Sequence, residues 1–351
     1  MWLRNDGIRD LNITGMWSCA QWGDTLLGLR ADQMSIAVGD SARIWMRFTP
    51  EHNVYYRLPV VVATDGPDGF VALQFEAQGR WSQSYYSSTE NKSWAQLKSA
   101  LTTKLNQGTT NLGYNGARDQ MYGNLDNVNG QVTCIYTGRV ATFNTRAGAT
   151  ANNFNCEHTF PQSLFSSAEP MKSDIHHLFP CDESANTQRS NNPFGIITGT
   201  PAWSVGGSKR LSGVFEPRDA HKGDAARAMM YFVTRFGDYS SFYAQQAAVL
   251  EAWHQQFPPD SADRARNQGI AALQNTRNPY VDYPQIMERL ISLAGSPQPN
   301  LAAQHWASED TLELELWSWS VGPMLRRRLV VTNPGSDDLI LGAASLSAPN
   351  V

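Results

Sequence analysis

The first 80 or so residues alternate apolar and polar positions in short runs. SIAVGD, ARIWMRFTP, LPVVVAT and VALQFEA are separated by turns rich in Gly, Pro and Asp. Period-two alternation buries one face of a strand, so this stretch predicts a small β-sandwich. After Trp81 the period changes. Tyr86, Trp94, Leu97, Leu101 and Leu105 recur at helical spacing, with Lys92, Lys98 and Lys104 left for the wet side. QVTCIYTGRVATF, from residue 131, and SDIHHLFP, from residue 173, are predicted strands. Three helices are predicted after them, in GDAARAMMYFVTRF, SFYAQQAAVLEAWHQQF and SADRARNQGIAALQN. The last two have N-cap candidates at Ser240 or Ser241 and at Asp260 or Ser261. The stripe Ala228, Tyr231, Phe232 and Phe236 predicts core, and so does Trp253.

GSPQPN, after Ala294, has linker composition, and β-like runs resume in LELELW and RRRLVVTN. The pattern predicts an α+β chain in three parts: a β-sandwich over 1–80, a mixed domain over 81–295, and a linker with the start of another β module over 296–351. A length of 351 residues suits two or three domains. Hydrophobic content of 41% and charge of 17% describe a globular chain with cores to bury. No apolar run approaches the roughly 18 residues a membrane-spanning helix needs. LRNDGIRDLNITG at 3–15 aligns without gaps with VTNPGSDDLILGA at 331–343, matching Asn5 to Asn333, Gly7 to Gly335 and Asp10 to Asp338. An Asn-X-Gly turn in a tight hairpin explains the Asn and Gly, since both tolerate left-handed backbone. The repeat resembles the start of the Ig-like modules of the HYDIN and ASH type. On that resemblance the chain is expected to be a piece of a longer multi-module protein, its second module cut short.

Net charge is −4, yet residues 81–295 hold 18 Lys and Arg against 17 Asp and Glu, so the acidic excess lies in the flanks. A balanced segment binds polyanions only if its cations cluster on one face. None of the four cysteines forms a CxxC pair, which speaks against a zinc knuckle. Cys134 and Cys156 are the expected disulfide in a secreted protein.

The chemistry concentrates in NCEHTFPQSLF at 155–165. Glu157 precedes His158, His176 and His177 follow in SDIHHLFP, and then comes the amide-rich SANTQRSNNPFG with Arg189. Three arrangements can use these parts. A zinc hydrolase would need His158, His176 and His177 to converge, but adjacent strand residues face opposite ways and there is no HExxH. A structural account would make the histidines satisfied partners in a polar turn. Metal-dependent phosphodiester hydrolysis would use a neutral imidazole as base and oxygen ligands, Glu and Asn, for one hard cation.

CEHTFPQSLF, EPMKSDIHHLFPCDESANTQRSNNPFG, FEPRDAHKGDAARAMMYFVTRF and LEAWHQQFPPDSADRARNQGIAALQNTRNPYVDYP occur in this order, after the lead-in YNGARDQMYGNLDNVNGQVTCIYTGR. Together they resemble the bacterial endonuclease I family, nucleases of the His-Me finger (ββα-metal) type, over residues 84–292. The resemblance implies His158 as general base at the end of the first strand. It implies Glu157 and Asn186 as ligands of Mg2+, with Ca2+ or Mn2+ as alternatives, and Asn186 is preferred to Asn191 and Asn192. Some members carry a phosphate-binding arginine between the EH pair and the SD segment. Here that stretch offers only Lys172, so Arg189 is the expected substitute, against a salt bridge to Asp174, Asp182 or Glu183. Phosphate contacts are expected from Arg189, Asn191, Asn192, Lys209, Arg210, Arg218, Lys222, Arg227 and Arg277, without sequence reading. The implied protein is a secreted, cell-surface or periplasmic endonuclease, monomeric within its larger chain, that cuts DNA and also RNA to 5'-phosphate ends. The alternative is a non-catalytic adhesion protein with a decayed nuclease domain, against which the intact Glu157, His158 and Asn186 argue.

Overall fold

The computed structural model describes residues 1–18, 26–290, 292–294, 306–307 and 331–332. Cys19, LELELW and most of RRRLVVTN and the second repeat copy lie outside them. The chain divides into two compact units, Met1–Ser84 with Pro299–Val351, and Tyr85–Gln298. Among the described residues no helix is long and apolar enough to cross a membrane.

Among its described residues the first unit has seven strands before residue 80: β1 (Trp2–Arg4), β2 (Leu11–Ser18), β3 (Leu27–Ala31), β4 (Ser35–Ile36), β5 (Ser41–Phe48), β6 (Tyr55–Thr64) and β7 (Phe70–Gln78). They form two antiparallel sheets in the orders β1-β5-β3 and β4-β2-β6-β7. Leu3, Ala42 and Ile44 from one sheet pack with Ile13, Ile36 and Val62 from the other, as the apolar alternation requires. The Asn5-X-Gly7 turn differs from expectation. It links strands of different sheets rather than closing a hairpin, and neither residue has positive φ. Instead the Asn5 side chain shapes the turn, accepting from Gly7 N at 3.0 Å and donating to Arg9 O and Ile36 O at 2.8 Å each.

The second unit opens with α1 (Trp94–Asn106) and α2 (Gly113–Gln120), then a small sheet of β8 (Asn127–Val128), β9 (Gln131–Thr133) and β10 (Val140–Thr142). The run predicted as one strand from residue 131 is therefore two, β9 and β10, separated by a turn in which Gly138 has φ of 73°. After α3 (Arg146–Ala151), β11 (Phe154–His158) pairs antiparallel with β12 (Leu178–Asp182), and α4 (Glu183–Arg189) follows directly. A three-stranded meander of β13 (Trp203–Val205), β14 (Ser208–Leu211) and β15 (Val214–Glu216) leads to α5 (Asp219–Phe236), α6 (Ala247–Gln256), α7 (Ser261–Gln274) and α8 (Pro279–Asp282).

Helix α7 begins where its sequence signal lies, with an Asp260/Asp263 capping box. Helix α6 does not. Asp238 takes the backbone N–H groups of Tyr243 and Ala244 at 2.7 and 2.9 Å, and Ser240 and Ser241 turn left-handed, so the helix starts only at Ala247. In the apolar stripe of α5, Ala228, Tyr231 and Phe232 are core as expected, and Phe236 is half-buried at the helix end. Phe232 stacks on Phe160 at 4.1 Å and meets His177 at 4.9 Å. Trp253 is buried against Phe194.

The cysteine expectation is overturned, because Cys134, Cys156 and Cys181 are all free and buried. On β11 and β12, Cys181 pairs with Asn155, so the pleat turns Cys156 to the opposite face. Cys134 faces Cys181, with sulfurs 3.9 Å apart. A Cys134–Cys156 bridge would have to cross the hairpin.

SDIHHLFP also departs from expectation. Only Leu178 onward is strand, and Ile175–His177 form a 3-10 turn capped by Asp174, whose Oδ1 accepts from His176 N at 3.1 Å. Asp174 Oδ2 takes Arg235 Nη1 at 2.5 Å and Tyr231 OH at 2.9 Å, both from α5. Gln274, at the end of α7, bonds Ile175 N and Ser173 O. Burial alone would raise the Asp174 carboxyl, yet Arg235 and its other partners hold it below the usual range. Arg235→Met leaves that carboxylate buried and unpaired, so urea denaturation should show a loss of about 3–5 kcal/mol. A loss below about 1 kcal/mol would mean that the pair does not anchor the turn.

Candidate active site

Strand alternation sets the geometry of β11. Glu157 and Asn155 share one face, and Cys156 and His158 share the other. His158 is the last strand residue, and Thr159 N still bonds His177 O at 2.9 Å before Pro161. Both members of the pair are buried, Glu157 at 2% exposure and His158 at 6%.

On the first face Glu157 Oε1 accepts from Tyr136 OH at 2.8 Å and lies 3.2 Å from Arg189 Nε. Among the described residues Oε2 has no hydrogen-bond donor. Burial pushes the Glu157 carboxyl up to about 7, with Arg189 and Tyr136 pulling the other way, so the pocket is short of positive charge. Asn186, in α4, donates Nδ2 to Asn155 Oδ1 at 2.8 Å and approaches Cys156 O at 3.4 Å, which leaves its Oδ1 without a described donor. A carboxylate oxygen and an amide oxygen, each without a donor among the described residues, are ligand types that suit a hard divalent cation completing its shell with water. Among the described residues no group of three His, Cys, Asp or Glu side chains is arranged to hold a metal, so a three-histidine zinc centre finds no support in the geometry. His176 turns instead to Thr276 O and His177 to Met171 O.

On the second face His158 Nε2 lies 3.1 Å from Lys172 O. A carbonyl only accepts, so Nε2 carries the proton and Nδ1 keeps its lone pair. Burial, and next His177, pull the His158 pKa down to about 3, so the ring is neutral across the working range. Tyr114 from α2 packs on the imidazole, centroids 5.4 Å apart at 32°.

Arg189 is placed differently from expectation. It is fully buried, donating to Thr159 O at 2.6 Å and Ser190 O at 2.8 Å, with its guanidinium over Phe194 at 4.8 Å. Its carboxylate partner is Glu157 rather than Asp174, Asp182 or Glu183, and a phosphate cannot reach it without displacing those bonds. The other expected phosphate contacts are mostly engaged. Arg277 is bidentate with Asp282, Lys222 bridges Glu216 and Asp219, and Arg227 joins Asp224 and Asp263. Lys209 lies 3.7 Å from Glu216, Arg210 bonds Gln188, Asn191 bonds Ser163 and Asn192 reaches Gln188 O. The backbone N–H of Arg218 donates to Ser208 Oγ at the start of α5. Tyr136, Tyr114 and Arg118 carry no role that is legible in the sequence. All three lie in the lead-in motif, but strand and helix periods do not say which distant element they meet.

A family model described as Endonuclease I matches residues 93–285. An extracellular ribonuclease of Bacillus amyloliquefaciens is 30% identical over 227 residues, covering 58% of this chain and 76% of that protein. One from Bacillus subtilis (strain 168) is 31% identical over 222 residues, 57% and 76% of the two chains. An extracellular deoxyribonuclease of Aeromonas hydrophila is 33% identical over 117 residues, 32% of this chain and 50% of its own length.

The buried histidines make stability pH-dependent. His158 is lowered to about 3 and His176 to about 4, and His177 and His254 are lowered too, all chiefly by burial. The unfolded chain protonates near 6.5, before the folded one, so their contribution is whole above pH 6.5 and is lost as pH falls towards 4. The free energy of unfolding in urea should fall from pH 6.5 to pH 4.5, by up to about 1.4 kcal/mol per pH unit for each such histidine, offset in part by Glu157, whose raised carboxyl gains stability as pH falls. A flat profile over that window would contradict the buried neutral state.

Proposed function

The chain belongs to the endonuclease I family and is an endonuclease, and we propose that it hydrolyses phosphodiester bonds of DNA and also RNA with one divalent metal ion and His158 as general base. The observation that carries this reading is the fixed tautomer of His158, with a bare Nδ1 at the end of the strand that also bears Glu157. On this reading the β11–β12–α4 unit is a His-Me finger. Relatives named as ribonucleases and as deoxyribonucleases support the two substrates, and their description as extracellular supports secretion. We further read residues 1–80 as an Ig-like module beside a nuclease domain over 81–295, supported by the two antiparallel sheets that share a core.

Glu157 and Asn186 would hold the metal, and Mg2+ is the expected ion. When bound, the ion supplies positive charge for the phosphate oxygens as they gain electron density. Tyr136 and Arg189 fix the Glu157 carboxylate through Oε1. His158 Nδ1 takes the proton of the attacking water while Nε2–H stays on the Lys172 carbonyl. The approach of a phosphodiester anion favours the imidazolium, which offsets the depressed basicity of the buried ring. Attack of water on phosphorus breaks the bond to the 3'-oxygen, which takes a proton from solvent, and leaves 5'-phosphate and 3'-hydroxyl ends.

Supercoiled plasmid incubated with the protein and Mg2+ should be nicked and degraded, and EDTA should stop the reaction. His158→Ala should slow it by about 10²–10⁴-fold, and Glu157→Gln should remove the response to added metal. Plasmid that survives the wild-type protein under a range of divalent ions would sink the proposal. Loss of activity in Asn191→Ala with Asn186→Ala unaffected would move the second ligand to Asn191.

A further inference from the structure

With Arg189 committed to Glu157, the site still needs cations that can meet a phosphate. Most arginines of the second unit are already paired with carboxylates, among them Arg139, Arg146, Arg227, Arg235, Arg266 and Arg277. Two cations beside His158 are not. Arg118, on α2, has its guanidinium 4.2 Å from the centre of the Tyr114 ring, and Lys172 has its ammonium 5.0 Å from the same centre. Tyr114 itself leans on the His158 imidazole. Neither cation has an ion-pair partner among the described residues. Arg118 spends one nitrogen on Asn115 Oδ1 at 2.7 Å, and its buried Nε has no hydrogen-bond partner.

Both cations sit over one ring with no carboxylate partner among the described residues, so an anion that presents an oxygen to each gains from both. Arg118 offers planar donors and Lys172 a point charge, a combination that suits the non-bridging oxygens of a phosphodiester. The ring keeps both on the face of β11 that carries His158, and the backbone of Lys172 is already tied there by its carbonyl. We propose that Arg118 and Lys172, seated on Tyr114, are the phosphate clamp of this nuclease, gripping the backbone of the strand being cut. The clamp rests on the nuclease reading. It contacts backbone only, so it grips DNA and RNA alike without reading bases.

The test uses Arg118→Met and Lys172→Met, which keep an aliphatic stem against the ring, singly and together. Binding of a fluorescein-labelled 16-nucleotide single strand is measured by anisotropy in EDTA from 50 to 200 mM KCl, beside cleavage kinetics with Mg2+. Each single variant should weaken binding several-fold at 50 mM KCl and raise KM more than it lowers kcat. The double variant should flatten the slope of log K against log salt by about 1.4, two single-strand phosphate contacts. Arg118→Lys combined with Lys172→Arg keeps both charges and should restore the slope. This pair also separates loss of the clamp from loss of fold, because a variant that merely unfolds would not be rescued by charge. Wild-type slope and affinity in the double variant would overturn the clamp while leaving the nuclease reading intact. Wild-type protein that neither binds nor cuts would overturn both.

Discussion

The hydrogen bond from His158 Nε2 to the Lys172 carbonyl is the contact on which the proposed site depends. It selects the tautomer and fixes the plane of the ring. It also ties the base to a segment that is not strand. That segment is held in turn by a chain of buried polar contacts: Arg235 and Tyr231 of α5 grip Asp174, Asp174 caps the 3-10 turn, and Gln274 of α7 clips Ile175 and Ser173. The helical half of the unit therefore positions a side chain on the two-stranded hairpin. Lys172 has a part on both counts, with its carbonyl orienting the base and its ammonium facing the Tyr114 ring.

The opposite face of β11 has a different electrostatic problem. Glu157 is buried with one arginine and one tyrosine on the same oxygen, and burial outweighs them. Arg189 pins the carboxylate but does not satisfy it. Under the proposed mechanism that shortfall is what the divalent ion relieves, while the clamp on the other face takes the substrate. Adjacent residues on one strand end thus serve two faces, which is why Glu157 and His158 are neighbours in sequence.

Much of this was legible from sequence where the signal is local. The α7 capping box, the α5 apolar stripe and the strand alternation of the first unit depend on residues a few positions apart, and the structure bears them out. What was not legible is pairing across distance. The spacing of Cys134 and Cys156 suggested a bridge, but the pleat puts Cys156 on the wrong face. SDIHHLFP has strand composition, yet the Asp174 cap and its α5 partners bend its first half into a turn. Arg189 was weighed only against acids near it in sequence, because its partner, Glu157, lies 32 residues earlier in the chain, in β11. Tyr136 and Arg118 carried no local signal, since their roles come from β11 and Tyr114.

The most direct measurement is the pair of 15N chemical shifts of the His158 ring, assigned by comparison with His158→Ala. The account predicts a neutral ring from pH 8 down to at least pH 5, with the proton on Nε2 and an unprotonated Nδ1. A proton on Nδ1, or an imidazolium at pH 7 in the free protein, would contradict it.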